Sequence, residues 1–303
     1  MILKPQIKLL WNGSRVQMWL EGCNTSPVLV EISPTGYCNA SCPWCFFKAK
    51  HDGEQINKYT MLKALKSMRE IGVLAVNWTG GGEPTLHPDF NSFTKLANDL
   101  GLQQGLFTNA YKVIHNPERF EWIRISLTDK GYDPIIVPDA PFGICFNLTK
   151  TNTADELEEL CIRAKNIGAS YFQVRPALEG HYSKQPFLVP PIELRKHNTN
   201  DFKVLLTEYK FIDARKPHGY DRCYGGQFCS SIDWNGNLGM CMYRTGEDGY
   251  ILGDLNKHDF KELWRMTPED GCEVNDGCQN CCKNHEINKA LYLCKHVRQV
   301  NFL

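Results

Sequence analysis

A mainly parallel α/β sheet, wound as a partial barrel of six β/α units and followed by a small cysteine-dense α+β domain, is the fold this sequence predicts. Three observations carry it. Short apolar runs alternate with amphipathic stretches of roughly 10–15 residues through the middle of the chain. The loops leaving the first two of those runs hold clustered cysteines and clustered glycines. After about residue 185 the alternation stops and cysteines become dense. Strands alternating with helices imply parallel pairing through right-handed crossovers. Six units in about 150 residues make part of a barrel, since a complete eight-unit barrel takes about 250.

Each element follows from local pattern. PVLVEIS (27–33) reads as the first strand and runs into TGYCNASCPWC. From Tyr59 to Ile71, Met61, Leu62, Leu65, Met68 and Ile71 recur at helical spacing, and Gly72 ends the helix. VLAVNW (73–78) is the second strand, and Phe90, Phe93, Leu96, Ala97 and Leu100 share a helical face over 88–100. GLFTN (105–109), WIRISL (122–127), GICFNL (143–148) and YFQVR (171–175) are further strands. A helix over 153–167 has Thr153 as its N-cap and acidic residues in its first turn. KVLLTEYKFI reads as one more strand or helix. In the tail, FCSSIDW and LGMCMY flank Asn235-Gly236-Asn237, a hairpin signal, and short helices are expected near 259–266 and 285–295. The expected divisions are an N-terminal extension at 1–27, a barrel at 28–215 and a tail domain at 216–303.

Composition bounds the function. The 303 residues are 42% hydrophobic and 22% charged, as in ordinary globular proteins. Lysine plus arginine balance aspartate plus glutamate at 34 each, so no global positive field calls for nucleic acid, although a local basic groove is compatible with it. No apolar run approaches the roughly 18 residues that span a bilayer, which argues against a membrane partner. MILKPQIKLLWNGSR lacks a signal-peptide pattern, so a reducing cytoplasm is expected. There, clustered thiols point to metal or redox chemistry more than to disulfides. Of the fourteen cysteines, three lie at 38–45 and eight between Cys223 and Cys294. Cys145 and Cys161 sit in apolar patterns and read as core thiols.

Cys38, Cys42 and Cys45 are spaced C-x3-C-x2-C. Three close thiols suit an iron–sulfur cluster with one iron left open, and a zinc ion completed by a histidine such as His51 is the alternative. Gly36, Asn39, Ala40 and Ser41 supply the small residues such a loop needs. TGGGEPTLHP, Thr79 to Pro88, places three glycines and a glutamate after a strand. Glycines permit positive φ and a close approach of backbone carbonyls to an amino group. Trp44 and Phe46 read as shields against solvent, and His87 as a cap on the glycine loop.

Together the two motifs resemble the radical S-adenosylmethionine (SAM) superfamily, whose first loop carries CxxxCxxC and whose second carries GGEP. The match falls on Cys38, Cys42 and Cys45 and on Gly81, Gly82, Glu83 and Pro84. Further segments follow in the family's order. Phe107-Thr108-Asn109-Ala110 resembles its TNG segment, with alanine in place of glycine. Ile125-Ser126-Leu127 resembles its ISLD segment, in which Thr128 here displaces the carboxylate to Asp129. Gln173 and Arg175 fall where the family's sixth strand reaches the SAM carboxylate or ribose. In the tail, Cys223, Cys229, Cys241, Cys278 and Cys281, with ILGDL and FKELW, resemble the SPASM or twitch extension of that superfamily. Cys272, Cys282 and Cys294 stand around them, enough thiols for one or two auxiliary clusters.

What the resemblance implies is an enzyme. A 4Fe–4S cluster on the first three thiols binds SAM, one or two auxiliary clusters occupy the tail, and a reductant such as flavodoxin or ferredoxin supplies electrons. The 5′-deoxyadenosyl radical takes a hydrogen atom from a peptide or small molecule, giving oxidation, a crosslink, epimerisation or rearrangement. Only about 27 residues precede the first strand, which keeps a carbohydrate, nucleoside or nucleic-acid base beside a peptide as substrate. From another class, an electron carrier or a metal-stabilised binding module also fits clustered thiols. No catalytic acid or base is assigned by the sequence, although Cys294 or Tyr243 has chemistry suited to returning a hydrogen atom.

Overall fold

Helices α1 (Pro5–Lys8) and α2 (Gly13–Leu20) lead into β1 (Leu29–Ile32) in the computed structural model, which describes residues 5–47, 53–178, 187–213, 215–275, 277–278 and 283–296. Arg15 fastens α2 to the body by donating to Ser26 Oγ at 2.8 Å and to the carbonyls of Ser26 and Pro27 at 3.0 Å. Next, α3 (Lys58–Glu70) starts on Asn57, whose side chain accepts from the Tyr59 amide at 2.8 Å. It buries Met61, Ala64, Leu65 and Met68, and Gly72 stops it at φ +91. The succession continues as β2 (Ala75–Trp78), α4 (Phe90–Asp99), β3 (Gln103–Thr108), β4 (Trp122–Ser126) and β5 (Phe142–Leu148). Thr153 and Glu156 form a reciprocal capping box on α5 (Ala154–Asn166), and β6 (Tyr171–Pro176) follows. The segment KVLLTEYKFI supplies both a strand, β7 (Lys203–Leu206), and a helix, α6 (Glu208–Asp213).

The tail comprises β8 (Arg222–Cys223), β9 (Cys229–Ile232), β10 (Asn237–Gly239), β11 (Ile251–Asp254), α7 (Phe260–Trp264), β12 (Cys272–Glu273) and α8 (Lys283–His296). One ten-stranded sheet has the order β11-β10-β9-β1-β2-β3-β4-β5-β6-β7 and does not close. Strands β1 to β7 are parallel, and β9 joins β1 in parallel with Leu29 opposite Cys229 and Glu31 opposite Ser231. The sheet therefore runs across the division expected at 215/216. Strands β9 and β10 form the hairpin expected around Asn235-Gly236-Asn237, with Gly236 at φ +86. A separate two-stranded sheet pairs β8 with β12, setting Cys272 opposite Cys223.

The regular alternation of six units gives way in two places. Residues 109–121 and 127–141 connect parallel strands without an α-helix. Their sequences explain this, because Pro117 interrupts the first and Gly131, Pro134, Pro138 and Pro141 punctuate the second. The core runs along the sheet's outer face, from Val30 and Ile32 through Val76, Leu106, Ile123, Ile125, Ile144 and Phe172. A smaller cluster of Trp19, Tyr224, Phe228 and Leu291 ties α2 to the tail, with Trp19 Nε1 donating to Gln227 Oε1 at 2.7 Å. Cys145 and Cys161 are buried, as expected. Among the described residues, no helix is long and apolar enough to cross a membrane.

Candidate active site

Parallel strands present their C-terminal ends on one edge, and chemistry in such sheets collects there. The cysteine loop leaves β1 at that edge and the glycine loop leaves β2 beside it. Both border one cavity of about 830 Å³. Its wall includes Cys38, Cys42 and Cys45 together with Gly81, Gly82, Glu83, Pro84, Asn109, Ser126, Gln173 and Arg175. Every residue the sequence assigned to SAM or its cluster thus lines one cavity.

Backbone bonds knit the two loops together. The Gly81 amide donates to Ser33 Oγ at 2.9 Å, the Gly82 amide to the Thr35 carbonyl at 2.8 Å and the Glu83 amide to the Tyr37 carbonyl at 2.7 Å. With these donors committed, the glycine loop offers a ligand its carbonyl oxygens, as the gripping of an amino group requires. The expected positive φ is not found at Gly80, Gly81 or Gly82. Space is what demands glycine here. A Cβ on Gly82 would lie 1.9 Å from the Tyr37 carbonyl oxygen, and one on Gly81 would lie 2.1 Å from the Trp234 ring. Positive φ falls instead on Ala110, at +57, where the resembling segment carries glycine.

Glu83 points inward. Its carboxylate accepts from Thr85 Oγ1, Thr108 Oγ1 and the Asn109 amide at 2.7 Å each, and from the Thr85 amide at 3.1 Å. Burial pushes the Glu83 carboxyl up from its ordinary pKa, and these hydrogen bonds pull the other way. The side chain therefore locks the glycine loop to the end of β3. Beside it, His87 Nδ1 accepts from the Asp89 amide at 3.0 Å while Nε2 faces the Ile56 carbonyl at 2.9 Å, and burial lowers its pKa.

Three residues outside the cysteine loop hold it in place. Asn109 Nδ2 donates to Asn39 Oδ1 at 2.6 Å, and Lys130 Nζ donates to the Asn39 carbonyl at 2.8 Å. Asp129 Oδ1, the displaced carboxylate, accepts from the Ser41 amide at 3.2 Å and from Cys42 Sγ at 3.5 Å. Burial raises the Cys38 thiol and pushes Cys42 up to about 11, so both need a bound cation to hold them as thiolates. Phe46 meets Tyr243 edge-on at 5.0 Å and Phe47 meets Trp234 at 6.4 Å, which seats the loop's aromatic rings on the tail.

A second, smaller cavity lies in the tail, with Cys223, Cys241, Cys272 and Cys278 on its wall. Burial pushes Cys223 up to about 11 and Cys272 up to about 12. The structure does not bring Cys229 there, because it is buried at the start of β9, facing Leu29 of β1. Cys281 and Cys282 lie outside the described residues, as does His51. Cys294 is exposed on α8. Among the described residues, the ligand set lying mutually within 4.8 Å is Asp213, His285 and Glu286, and neither thiol group is that close. Tyr243 lies on the walls of both cavities.

Several residues of the site escaped the sequence reading. Trp234 reaches the glycine loop through long-range packing, and the wall residues Arg124 and Glu31 were lone charges within strands. One signal was available. Charged residues at alternate positions of β1, β4 and β6 have to face the barrel interior when the other face is core.

Residues 32–169 match the radical SAM superfamily. They are a radical SAM domain. PqqA peptide cyclase of Bradyrhizobium diazoefficiens is 36% identical to this chain over 86 residues, covering 28% of the chain and 22% of that protein. The chain spans between 18% and 51% of the length of the curated relatives it matches. Among solved structures, Streptococcus suis SuiB bound to the precursor peptide SuiA superposes with a TM-score of 0.61 at 17% identity, covering 91% of this chain and 76% of that one. The enzyme anSMEcpe with bound AdoMet and Cp18Cys peptide does so with 0.56 at 18%, covering 90% and 84%. At these identities the likeness is one of fold, and it extends through the tail. Radical SAM enzymes use a 4Fe–4S cluster and SAM. The residues here fit both groups. Three thiols line the same cavity as the carbonyl-bearing loop, and the buried Gln173 Oε1 has no hydrogen-bond partner among the described residues.

Proposed function

We propose that this protein cleaves SAM reductively and uses the 5′-deoxyadenosyl radical to take a hydrogen atom from a peptide, with an auxiliary iron–sulfur cluster on Cys223, Cys241, Cys272 and Cys278. The supporting observation is the meeting of the three-thiol loop, the glycine loop and the strand-end polar residues on one cavity. Cys38, Cys42 and Cys45 would hold a 4Fe–4S cluster, which would supply the electron for breaking the carbon–sulfur bond of SAM. The rest falls to the chain's own side chains. Carbonyls of the glycine loop accept from the SAM amino group. Ser126 and Gln173 offer a hydroxyl and an amide oxygen to the ribose, and Arg175, oriented by Asn147 Oδ1 at 2.8 Å, offers its guanidinium to the carboxylate. Trp44, Phe46 and Phe47 line the cavity with apolar rings, which would help keep water and competing hydrogen donors from a radical.

A peptide substrate is supported by the relatives, one a peptide cyclase and two with peptides bound. The second thiol cavity supports an oxidative outcome, because Cys223, Cys241, Cys272 and Cys278 could hold an auxiliary cluster, which would supply an electron acceptor. Anaerobic reconstitution with SAM and dithionite should release 5′-deoxyadenosine, and Cys38→Ala, Cys42→Ala and Cys45→Ala should abolish it. No release at full iron content would falsify this reading. Oxidation of a peptide would appear as a product two hydrogens lighter, whereas epimerisation leaves its mass unchanged.

A further inference from the structure

Arg124 stands inside the barrel without a carboxylate. It is half-buried on β4 and lines the large cavity. Three rings surround its guanidinium carbon, with centroids at 5.1 Å for Phe107, 5.2 Å for Trp122 and 5.8 Å for Tyr171. Its Nε donates to Tyr171 Oη at 3.1 Å, and among the described residues it has no ion pair. Of five N–H donors, the four on the terminal nitrogens are therefore uncommitted. Glu31, also on the cavity wall, does not pair with it.

The surroundings are built to hold this cation. A Cβ on Gly143 would fall 2.0 Å from the Tyr171 ring, and one on Gly105 would fall 2.1 Å from the Trp122 ring. Neither glycine has positive φ, so what each provides is room for an aromatic ring to lie flat beneath the arginine. Strand register puts Phe107, Arg124, Gly143 and Tyr171 side by side in one layer. Cation–π contact and the single phenol bond fix the guanidinium's direction but do not neutralise it. A partly desolvated, unpaired charge is costly unless a ligand completes it, and a fixed fork of N–H donors matches an oxyanion in bidentate geometry.

We infer that Arg124 is a substrate-recognition residue that receives an anionic group, a carboxylate or a phosphate, on the molecule that is modified. The inference rests on the proposed SAM chemistry. Ser126, Cys145 and Gln173 form the next layer towards the cysteines, two residues or about 6.6 Å along the strands. The substrate's anion thus sits one layer deeper than the groups assigned to the SAM ribose. That leaves the reacting carbon between the anion and the radical.

Calorimetric titration of the reconstituted, SAM-bound protein tests this, with acetyl-Ala-Glu-Ala-amide, its glutamine counterpart, ribose 5-phosphate and inorganic phosphate as probes. At least one anionic probe should bind, and Arg124→Gln should weaken it by about tenfold to a hundredfold while leaving any binding of the glutamine peptide unchanged. Arg124→Lys, which keeps the charge but loses the fork, should fall between the two and decides the matter if the glutamine variant does not fold. Binding of the glutamate peptide alone identifies a peptide carboxylate, and binding of the phosphates alone identifies a phosphorylated small molecule; either supports the assignment. It is overturned if no anion binds the unaltered protein up to about 20 mM, if Arg124→Gln binds anions equally well, or if that variant loses SAM instead. Release of 5′-deoxyadenosine by the unaltered protein reports separately on the SAM reading.

Discussion

Glu83→Gln puts the clearest number on the active-site scaffold. In the native loop one carboxylate oxygen accepts three donors and the other accepts the Asn109 amide. Every group around the carboxylate gives a hydrogen, so the ionised form satisfies all four, and a protonated form would set O–H against N–H. Glutamine retains one acceptor oxygen. If that oxygen keeps the triple set, its NH2 confronts the Asn109 amide, leaving two buried donors face to face. Losing a hydrogen bond to a charged group costs about 1.5–3 kcal/mol, and an orphaned buried donor adds about 1–3. A total of roughly 3–4 kcal/mol corresponds to a fall in melting temperature on the order of 10 °C. Scanning calorimetry of the anaerobically purified proteins measures the fall, and 5′-deoxyadenosine release should decline in parallel. Burial acts in the opposite sense by favouring the neutral carboxyl. If burial prevailed, glutamine would be a close isostere. A variant that melts within about 2 °C of the parent would therefore show that the charge does not tie the loop.

Three further outcomes are expected. Gly82→Ala forces the Tyr37 carbonyl back by about 1 Å, since the new Cβ would start 1.9 Å from it; SAM cleavage should drop by about a hundredfold in a single-turnover assay, with Gly13→Ala, a site with nothing within 4 Å, as control. Cys272→Ser should remove about four irons per chain by iron and sulfide analysis, whereas Cys229→Ser should retain them. His87 is held neutral with a lowered pKa, so unfolding takes up a proton below its ordinary value of about 6.5. Its contribution is complete above that pH and declines below it, so between about pH 7 and 5.5 the melting temperature of the parent should fall more steeply than that of His87→Asn.

Local periodicity made much of this molecule readable. The capping box at Thr153, the Gly72 stop and the hairpin at Gly236 all depend on neighbours within a few residues. So do the motif loops, whose convergence follows from parallel strands sharing one chemical edge. What escaped depends on contacts between distant residues. The position of Cys229, which the tail's resemblance offers as a ligand, is set by pairing with Leu29, two hundred positions earlier. The positioning of Cys272 depends on its register with Cys223. The glycines of the second loop read as conformational devices, while the Trp234 ring and the Tyr37 carbonyl that forbid a side chain there are invisible to local pattern. Arg124 carried no motif, because its meaning comes from rings on three strands.

The first strand sits in the middle of its sheet, with β2 on one side and β9 on the other. Cutting the chain at the expected division would strip β9 away and leave β1 as a naked edge. Its row of N–H and C=O groups would then seek another chain, and Val30 and Ile32 would lose the cover of Ile232. The strand thus exposed is the one that delivers the three cysteines. Dissection at that division therefore meets a restriction: the barrel half and the cysteine-rich half share one sheet, and separating them bares the strand edge most prone to pair with another chain.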